Sequence, residues 1–482
     1  MFVFIQNIFI AASLQNDYQN LFLFYVQSIV YLYPFQIKHK TFVIQAFQIK
    51  LALSFISFAF LIDLYSWQAV RALVRNKSEI TRKVFAYIYW TIPVLVFIYF
   101  MSGLLFPGKT GNNFIKIYFA GFYFVIYISK FVVCIFLIFD DLKRLFKIIW
   151  RKILSRNQSK NIVDPTQGDV LEHIHEEEIE EKEKISRSQF LATTGLLVSA
   201  APLIILTRGI IKGAYDYRVR RVQLYLPNLP SGFEGVKLLQ ISDVHTGSFT
   251  DRDAVYKGIQ MIKQENADLV FFTGDIVNSM TDELYDWQNI FAEIKAPMGV
   301  FSIYGNHDYG DYVPNWASKE AKEKNLADLA QAHKNMGWNL LRNEHITLTK
   351  NNQRIGIIGV ENWGDKGRFQ KYGDIDKATK NMPDVPVKLL LSHDPSHFDS
   401  IVSKNHQDID VTFSGHTHGF QFGVEIGSFK WSPSQYIYPH WSGLYHVKNQ
   451  QIYVNRGFGF LGYPGRVGIL PEITVFTLTK NS

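Results

Sequence analysis

The sequence predicts an N-terminal α-helical membrane region followed by a soluble α/β domain. Two observations on the 482-residue chain support this: the first two hundred residues contain several long apolar runs, and the rest alternates strand-length apolar runs with polar, Gly-rich turns. A chain of this length that is 47% apolar can form two or three domains. The predicted division is a membrane region over 1–154, a polar acidic linker over 155–188, a fourth span with its connector over 189–221, and the soluble domain over 222–482.

Two runs predict transmembrane helices by length alone. Residues 84–106 carry no charge, and residues 117–139 are interrupted only by Lys130. Each run is long enough to cross about 30 Å of hydrocarbon as a helix.

Further spans are predicted on either side of this pair. Residues 51–67 are a shorter run with Asp63, which we expect near one interface or against a neighbouring helix. Phe190–Ile211 is uncharged before its last turn and predicts a fourth span. Residues 1–45 are apolar but broken by Gln, Asn and Tyr, so they could hold one more span; alternatively translation begins downstream, because this composition is typical of AT-rich upstream DNA.

Lys and Arg in short loops predict the orientation, because positively charged loops stay in the cytoplasm. Basic residues are frequent between the first two spans and after the third, whereas the intervening loop has Lys109 alone near its centre. The fourth span should therefore run outward and place the C-terminal half outside the cytoplasm, anchored in the cell (inner) membrane. The linker, with its acidic run and with His173 and His175, is interpreted as a solvated spacer rather than a metal site.

Charge and cysteine content exclude some function classes. The net charge is +7 and the pI near 9.0, but the basic residues cluster beside apolar spans, so a bilayer is the expected partner and nucleic acid is not. The only cysteine, Cys134, lies in an apolar run. An intramolecular disulfide and a thiolate zinc site are therefore excluded.

Polar clusters with metal-binding side chains follow apolar runs of strand length in the soluble half. Residues 236–242 lead to Asp243 and His245, which point the same way in extended chain and can bind one ion. Residues 268–273 lead to Gly274 and Asp275, where glycine allows the turn that presents the carboxylate.

Three more clusters follow along the chain. They are Gly305-Asn306-His307-Asp308, His393-Asp394-Pro395 and Gly415-His416-Thr417-His418-Gly419. Nitrogen and oxygen ligands without thiolate fit two divalent or trivalent ions, Mn, Fe or Zn, in a hydrolytic site. His307 is the natural general acid, and Asp308 beside it is predicted to orient its imidazole and raise its basicity.

In this order the motifs Asp-x-His, Gly-Asp, Gly-Asn-His-Asp, a lone His and Gly-His-x-His resemble the calcineurin-like metallophosphoesterases. Together with Asn455-Arg456-Gly457 and Pro471-Glu472-Ile473, they are most similar to the YkuE-like, membrane-associated branch. The resemblance covers residues 235–478 and implies a four-layer sandwich, two mixed β-sheets flanked by helices. It implies that the first metal is bound by Asp243, His245 and His418, the second by Asn306, His393 and His416, that Asp275 bridges them, and that His307 is the acid.

Other residues are weighed against this set. Phe420 stands where relatives usually have a second glycine, so it should narrow the rim of the pocket. Arg456 and Arg466 lie in Gly-rich stretches and could bind substrate phosphate through two parallel N–H groups. The remaining histidines of this domain are expected to be surface or packing residues: His333, His345, His397, His406, His440 and His446.

The sequence therefore favours a membrane-anchored hydrolase of a phosphomonoester or phosphodiester. The tether makes a lipid-linked phosphoester, such as a nucleotide-diphosphate lipid precursor, a candidate substrate. A nucleotide phosphodiesterase or nuclease is the alternative enzyme. A membrane sensor that binds a phosphorylated ligand without turnover is the alternative of another class, and the intact Asn306, His307 and Asp308 argue against it.

Overall fold

The structure is a computed structural model that describes residues 41–105, 113–158, 187–367 and 369–480. It divides into two compact units: Met1–Gly111 with Phe122–Ile204, and Asn112–Gly121 with Ile205–Ser482. Residues 1–40 and most of the predicted linker, including His173 and His175, lie outside the described residues, so the interpretations of these segments stay predictions.

The N-terminal part is built from long helices. Their bounds are α1 Thr41–Val74, α2 Glu79–Leu105, α3 Asn113–Gln158 and α4 Arg187–Ile211. Within the described residues, three stretches are long and apolar enough to cross a membrane: Glu79–Ser102, Ile115–Ile153 and Gln189–Tyr215. They contain the third and fourth predicted spans and overlap the second over residues 84–102. The residues predicted as the first span lie inside α1, and their crossing of the membrane stays a prediction.

The charged residues inside the first and third predicted spans, Asp63 and Lys130, pair with each other. Lys130 on α3 donates to Asp63 Oδ1 on α1 at 2.5 Å, and Tyr127 donates to Asp63 Oδ2 at 2.7 Å. Tyr89 on α2 donates to the backbone carbonyl of Asp63 at 2.6 Å, so three helices meet at this residue. Asp63 therefore faces neighbouring helices, the second of the two placements expected for it, and each buried charge has a partner in place of water.

Replacing Lys130 by Met should destabilise the membrane unit, because it leaves the Asp63 carboxylate buried without its counter-charge. We expect a loss on the order of 3 kcal/mol for Lys130→Met and recovery of most of it in the double variant Asp63→Asn/Lys130→Met. Thermal unfolding of the full chain in detergent measures both. Equal stability of Lys130→Met and the wild type would show that the ion pair does not hold these helices together.

Two six-stranded sheets form the centre of the C-terminal unit. The strands are β1 Arg218–Tyr225, β2 Lys237–Ile241, β3 Leu269–Phe272, β4 Val300–Ser302, β5 Asn339–Leu340, β6 Glu344–Lys350, β7 Gln353–Gly359, β8 Lys388–Leu391, β9 Val411–Ser414, β10 Val424–Ile426, β11 Phe429–Trp431, β12 Gly443–Val447, β13 Gln450–Val454 and β14 Glu472–Thr479. The first sheet has the order β1-β14-β2-β3-β4-β5 and the second β12-β13-β9-β8-β7-β6, while β10 and β11 form a separate hairpin. The run β2 to β5 is parallel, and so is the run β13-β9-β8-β7.

Helices cover the outer faces of both sheets. They are α5 Arg252–Gln264, α6 Asp282–Tyr285, α7 Gln288–Phe291, α8 Lys319–Met336, α9 Ile375–Thr379, α10 Pro395–His397 and α11 Ser403–Asn405. Because successive strand residues point to opposite faces, Leu238 and Phe271 enter the core between the sheets, whereas Leu239 and Val270 pack in the core that also contains Ile259 of α5. The predicted four-layer sandwich is confirmed.

The soluble domain begins earlier than the sequence predicted. β1 starts at Arg218 and pairs in parallel with β14 over its whole length, inside the connector assigned to 189–221. The arginines of β1 resemble a basic cluster flanking a membrane span, and only one residue of the strand, Leu224, is fully buried, so its pattern is weak. A fragment cut at residue 222 would lose half of this strand.

Candidate metal centre

The candidate ligands lie at the carboxyl ends of parallel strands. In the first sheet Asp243 and His245 follow β2, Asp275 follows β3 and Asn306 follows β4. In the second sheet His393 follows β8, and His416 and His418 follow β9. The carboxyl ends of neighbouring parallel strands meet at one edge of a sheet, and the two packed sheets bring both edges together.

The structure gathers these residues into two groups. Asp243, His245 and His418 offer ligand atoms that all lie within 4.8 Å of one another. Asp275, His393 and His416 form the second such group. Asn306 joins the second group, since its Oδ1 lies 2.8 Å from Nδ1 of His416. This division is the one that the family resemblance implied.

One carboxylate oxygen lies between the two groups. Asp275 Oδ2 is 3.0 Å from Nε2 of His393 in its own group and 3.7 Å from Nε2 of His245 in the other. The second oxygen, Oδ1, accepts the backbone N–H of His307 at 2.8 Å, which fixes the rotation of the carboxylate. Asp275 is therefore the side chain that lies between the two ligand groups.

The backbone that presents the ligands is strained. Five ligand positions have left-handed backbone angles, with φ between 49° and 70°: Asp243, His245, Asp275, His416 and His418. A non-glycine residue in this region costs on the order of 1–3 kcal/mol and persists only where the surrounding structure imposes it. Such strain concentrates at functional sites, because it turns successive side chains towards one point.

Two glycines allow backbone to approach the acidic ligands closely. A Cβ at Gly305 would lie 2.2 Å from Asp275 Oδ1, and a Cβ at Gly415 would lie 2.2 Å from Asp243 Oδ2. Neither position can therefore hold any other residue without displacing a carboxylate. This explains physically why glycine precedes Asn306 and His416 in the motifs.

Burial keeps most of the imidazoles neutral. It lowers the pKa of His245 to about 3 and also lowers the pKa of His416 and of His418. Burial acts the same way on His393, but the Asp275 carboxylate outweighs it and raises the pKa of His393 to about 10. Neutral imidazole is the form that binds a metal, so three of the four rings have a lone pair available at neutral pH.

The unpaired donor atoms fit a pair of cations. Nε2 of His393 is buried and makes no hydrogen bond of good geometry, although Asp275 Oδ2 lies 3.0 Å away. Nε2 of His245 and Nε2 of His418 face each other at 3.0 Å, and Nε2 of His418 is 3.3 Å from Asp243 Oδ1. Nitrogen lone pairs and carboxylates directed at a common point need a shared positive charge, and nitrogen and oxygen ligands suit Mn, Fe or Zn.

Supporting contacts orient the ligands. Nδ1 of His393 donates to the carbonyl of Thr273 at 2.7 Å, which leaves its Nε2 for the ion. Nδ2 of Asn306 donates to the hydroxyl of Tyr312 at 2.7 Å, which leaves its Oδ1 directed towards His416. Sequence reasoning missed Tyr312, because an aromatic residue a few positions after a motif carries no distinguishing pattern.

His307 is held beside the first group. Its Nδ1 bonds the backbone carbonyl of Asn278 at 2.6 Å, so this nitrogen carries the proton and Nε2 remains free. The ring stacks on Tyr312, with centroids 4.3 Å apart, and meets the ring of His245 edge-on at 4.9 Å. The predicted general acid is thus fixed in orientation.

The role predicted for Asp308 requires correction. Its carboxylate accepts backbone N–H groups from Gly305, Asp275 and Ile276 at 2.8–2.9 Å and from Val277 at 3.3 Å, and it does not orient His307. Burial and the charge of Asp275 raise the pKa of Asp308 to about 7. Asp308 therefore joins the turn after β3 to the turn after β4 and positions Asp275.

Arg456 is also placed differently from the prediction that it binds substrate. Its guanidinium is buried and donates to Glu425 Oε1 at 2.6 Å and to Glu472 Oε2 at 2.5 Å. Glu425 also pairs with Arg220 on β1. Because both glutamates pair with arginines of the domain, Arg456 links separate elements of the fold and does not face the pocket.

The side chain of Arg466 contacts a candidate metal ligand and is not placed to bind substrate. The side chain is buried, and it donates to the carbonyl of Gly459 at 2.6 Å while Nη2 lies 3.2 Å from Nδ1 of His418. Burial lowers the pKa of Arg466 to about 10. Arg466 supports the ring of His418 from the side opposite the ion site.

The other histidines are structural. Nδ1 of His333 bonds Ser302 Oγ, and Nδ1 of His397 bonds Ser392 Oγ, each at 2.9 Å in the interior. The rest lie away from both ligand groups: His345, His406, His440 and His446. Phe420 is 54% exposed beside the centre, as expected for a residue on its rim.

A cleft of about 330 Å³ opens next to the metal centre. Asn306 and Tyr312 form its inner wall, and Phe369 and Tyr372 form part of the outer wall. Lys and Arg are absent from the described residues that line it.

Comparisons with known proteins identify the family. The profile of the calcineurin-like phosphoesterases matches residues 236–420, and the profile described as "Probable Calcineurin-like phosphoesterase, transmembrane domain" matches residues 47–214. The metallophosphoesterase YkuE of Bacillus subtilis, described as uncharacterized, is 30% identical over 315 residues, which cover 62% of this chain and 99% of YkuE. The chain belongs to the calcineurin-like metallophosphoesterases. It is therefore a membrane protein and a metal-dependent phosphoester hydrolase, and the prediction of this family is confirmed.

Two further relatives match half of this chain or more. A zebrafish (Danio rerio) transmembrane protein with a metallophosphoesterase domain is 26% identical over 306 residues, covering 62% of this chain and 65% of that protein. The Chlamydia trachomatis protein named UDP-2,3-diacylglucosamine pyrophosphatase LpxG is 28% identical over 290 residues, covering 50% of this chain and 83% of LpxG. This calcineurin-like phosphoesterase thus spans about two thirds of the zebrafish protein.

Substituting Arg466 by Lys should weaken metal binding without changing substrate binding. A lysine cannot replace the bond to Gly459 and the contact with His418 at once, and loss of such support costs about 10- to 100-fold in metal affinity. The measurement is metal titration of the apoprotein, with KM determined at saturating metal. An unchanged metal affinity with a strongly raised KM would return Arg466 to the substrate-binding role predicted from sequence.

Proposed function

We propose that this chain is a membrane-anchored phosphoesterase with two metal ions, held by the ligand groups around Asp275, that hydrolyses a lipid-linked phosphoester. The observation that supports two ions is the position of Asp275 Oδ2 between His393 and His245. The first ion would be bound by Asp243, His245 and His418 and the second by Asn306, His393 and His416, with Mn, Fe or Zn as the candidate metals.

The metal ions and His307 would have separate roles in the hydrolysis. Bound metal ions supply a hydroxide nucleophile at neutral pH and neutralise charge on the phosphoryl oxygens. His307, whose Nδ1–H is held by the carbonyl of Asn278, carries its reactive proton on Nε2 when charged and gives that proton to the leaving oxygen. For a phosphate ester, water and the ester are thereby converted to an alcohol and a phosphate; for a nucleotide-diphosphate lipid, water is added across the P–O–P bond and two phosphate monoesters are released.

A substrate in the membrane is supported by the apolar helices and by one relative. The spans keep the centre close to the bilayer, where a lipid-linked phosphoester is concentrated. The name of the LpxG relative gives a nucleotide-diphosphate lipid as substrate class, which comes to this chain as a proposal. The proposed location is the cell (inner) membrane with the soluble domain outside the cytoplasm, supported by the basic loops on the other side.

Replacing His307 by Gln should lower kcat and leave metal content unchanged. Gln keeps the size and polarity of the side chain but cannot donate a proton as an acid, and such proton transfer contributes about 10²- to 10⁴-fold. The full chain in detergent, loaded with Mn, is assayed on UDP-2,3-diacylglucosamine and on the chromogenic bis(p-nitrophenyl) phosphate, with metal content measured in parallel.

One control variant and two contrary outcomes make this assay decisive. His333→Gln changes a buried histidine that lies away from both ligand groups, so activity per folded molecule should stay near that of the wild type. Faster turnover of nucleotides or nucleic acid than of the lipid would favour the nucleotide phosphodiesterase or nuclease. If no substrate is hydrolysed and His307→Gln behaves as the wild type, the non-catalytic sensor is the better account.

A further inference from the structure

The hairpin formed by β10 and β11 turns its apolar side outward. Val424 pairs with Trp431 and Ile426 with Phe429, so these four side chains share one face. Ile426 is 72% and Phe429 61% exposed. An antiparallel hairpin on the surface of a soluble domain normally turns its polar face to water and its apolar face to the core. Here the arrangement is reversed.

The opposite face of the hairpin is polar and is fixed to the domain. Glu425 pairs with Arg456 and with Arg220, and Lys430 donates to the carbonyl of Ser442 at 2.6 Å. Turning the apolar face inward would break these buried contacts and leave unpaired charges, at a high cost in free energy. The contacts of the polar face therefore keep the apolar face of the hairpin exposed.

The apolar face continues to the metal centre. We call the exposed large apolar side chains of this region the apolar rim: Phe420, Phe422, Val424, Ile426, Phe429, Tyr436 and Ile437. Phe420 lies two residues after the ligand His418, and Ile437 precedes Tyr438, whose hydroxyl bonds Nε2 of His416 at 2.9 Å. A continuous apolar patch of this kind marks an interaction surface, and this one adjoins the catalytic residues.

The rim also adjoins an end of an apolar helix. The carbonyl of Val467 accepts the N–H of Gly423, directly before β10, at 2.9 Å. The N–H of the neighbouring Arg466 donates to the carbonyl of Gly209, in the last turn of α4, at 3.2 Å. All four residues belong to the C-terminal unit, and α4 is one of the helices able to cross a membrane. The rim thus lies beside the C-terminal end of a helix that is long and apolar enough to cross a membrane.

We propose that the apolar rim inserts into the lipid bilayer, and that the metal centre takes a lipid-anchored phosphoester directly from that surface; the second part rests on the proposed function. Apolar side chains of this size gain free energy on leaving water. Trp431 donates to the hydroxyl of Tyr436 at 3.2 Å, and such amphipathic rings suit the level of the lipid headgroups. The bilayer is favoured over a protein partner because the rim adjoins the end of α4, which is able to cross a membrane.

Insertion is tested without any turnover. The chain has a single cysteine, Cys134, so a Cys134→Ser background accepts one probe at Ser428→Cys in the hairpin turn or at Tyr285→Cys, an exposed control residue on α6. Each full-length variant carries an environment-sensitive fluorophore and is reconstituted in phosphatidylethanolamine and phosphatidylglycerol vesicles. With the rim buried about 5–10 Å deep, nitroxide on the lipid chains near the headgroups should quench the Ser428 probe and spare the Tyr285 probe.

Equal quenching at the two positions would overturn the proposal. A Ser428 probe that is shielded from water but not quenched by nitroxide lipid, as expected under a second copy of the chain or a protein partner, would overturn it as well. Because fluorescence does not require hydrolysis, this result is independent of whether the proposed function is right.

A second measurement tests delivery of the substrate. The double variant Ile426→Asp/Phe429→Asp should lower kcat/KM for UDP-2,3-diacylglucosamine in vesicles by at least about tenfold, and hydrolysis of soluble bis(p-nitrophenyl) phosphate should stay within about twofold of the wild type. Tyr285→Asp is the matched control and should change neither activity. Equal effects on both substrates, or none, would contradict the proposal. If the wild type hydrolyses neither substrate, the proposed function fails and the fluorescence result alone decides insertion.

Discussion

The metal centre depends on the placement of one carboxylate, that of Asp275. It comes from the first sheet, and its Oδ2 lies 3.0 Å from a nitrogen of His393, which comes from the second. The two ligand groups can therefore form one centre only when both sheets are packed in the correct register. Asp308 stabilises this arrangement through backbone N–H groups on two adjacent turns, so the strained turn at Asp275 is held from both sides.

Much of the fold and the metal ligands could be predicted because both leave local patterns. Strand-length apolar runs followed directly by Asp, Asn or His indicate strand ends, and parallel strand ends meet. Roles that depend on tertiary contacts could not be predicted. Asp308 is next to His307 in sequence, yet its carboxylate reaches the amides of another turn. Arg456 lies in a motif typical of phosphate binding, but the acids that neutralise it come from distant strands.

The membrane region also has contacts that the sequence alone could not predict. Lys130 and Asp63 each interrupt an apolar run, and composition alone gives no pairing, although two opposite charges in neighbouring spans are natural partners. The sequence alone did not predict β1, because its arginines resemble the basic flank of a span. In addition, its pairing with β14 joins residues more than two hundred positions apart. The reversed orientation of the hairpin could not be predicted either. The alternation of apolar and polar residues predicts a strand but does not indicate which face meets water.

These features give a consistent account of an enzyme at a membrane surface. The buried acids around Arg456 hold a hairpin with an exposed apolar face, and the same region supports the turn that carries His416 and His418. The cleft beside the ligand groups has Asn306 and Tyr312 on its inner wall. In the proposed function, the metal centre binds the phosphate, and the apolar rim and the bilayer bind the lipid part.

The most direct test is a crystal structure of the full chain grown with Mn, with anomalous scattering recorded at the metal edge. We expect two peaks about 3.5–4 Å apart, both within coordination distance of Asp275. One peak should also contact His245 and the other His393. A single peak, or a second peak that does not touch Asp275, would contradict the shared carboxylate on which the account is built.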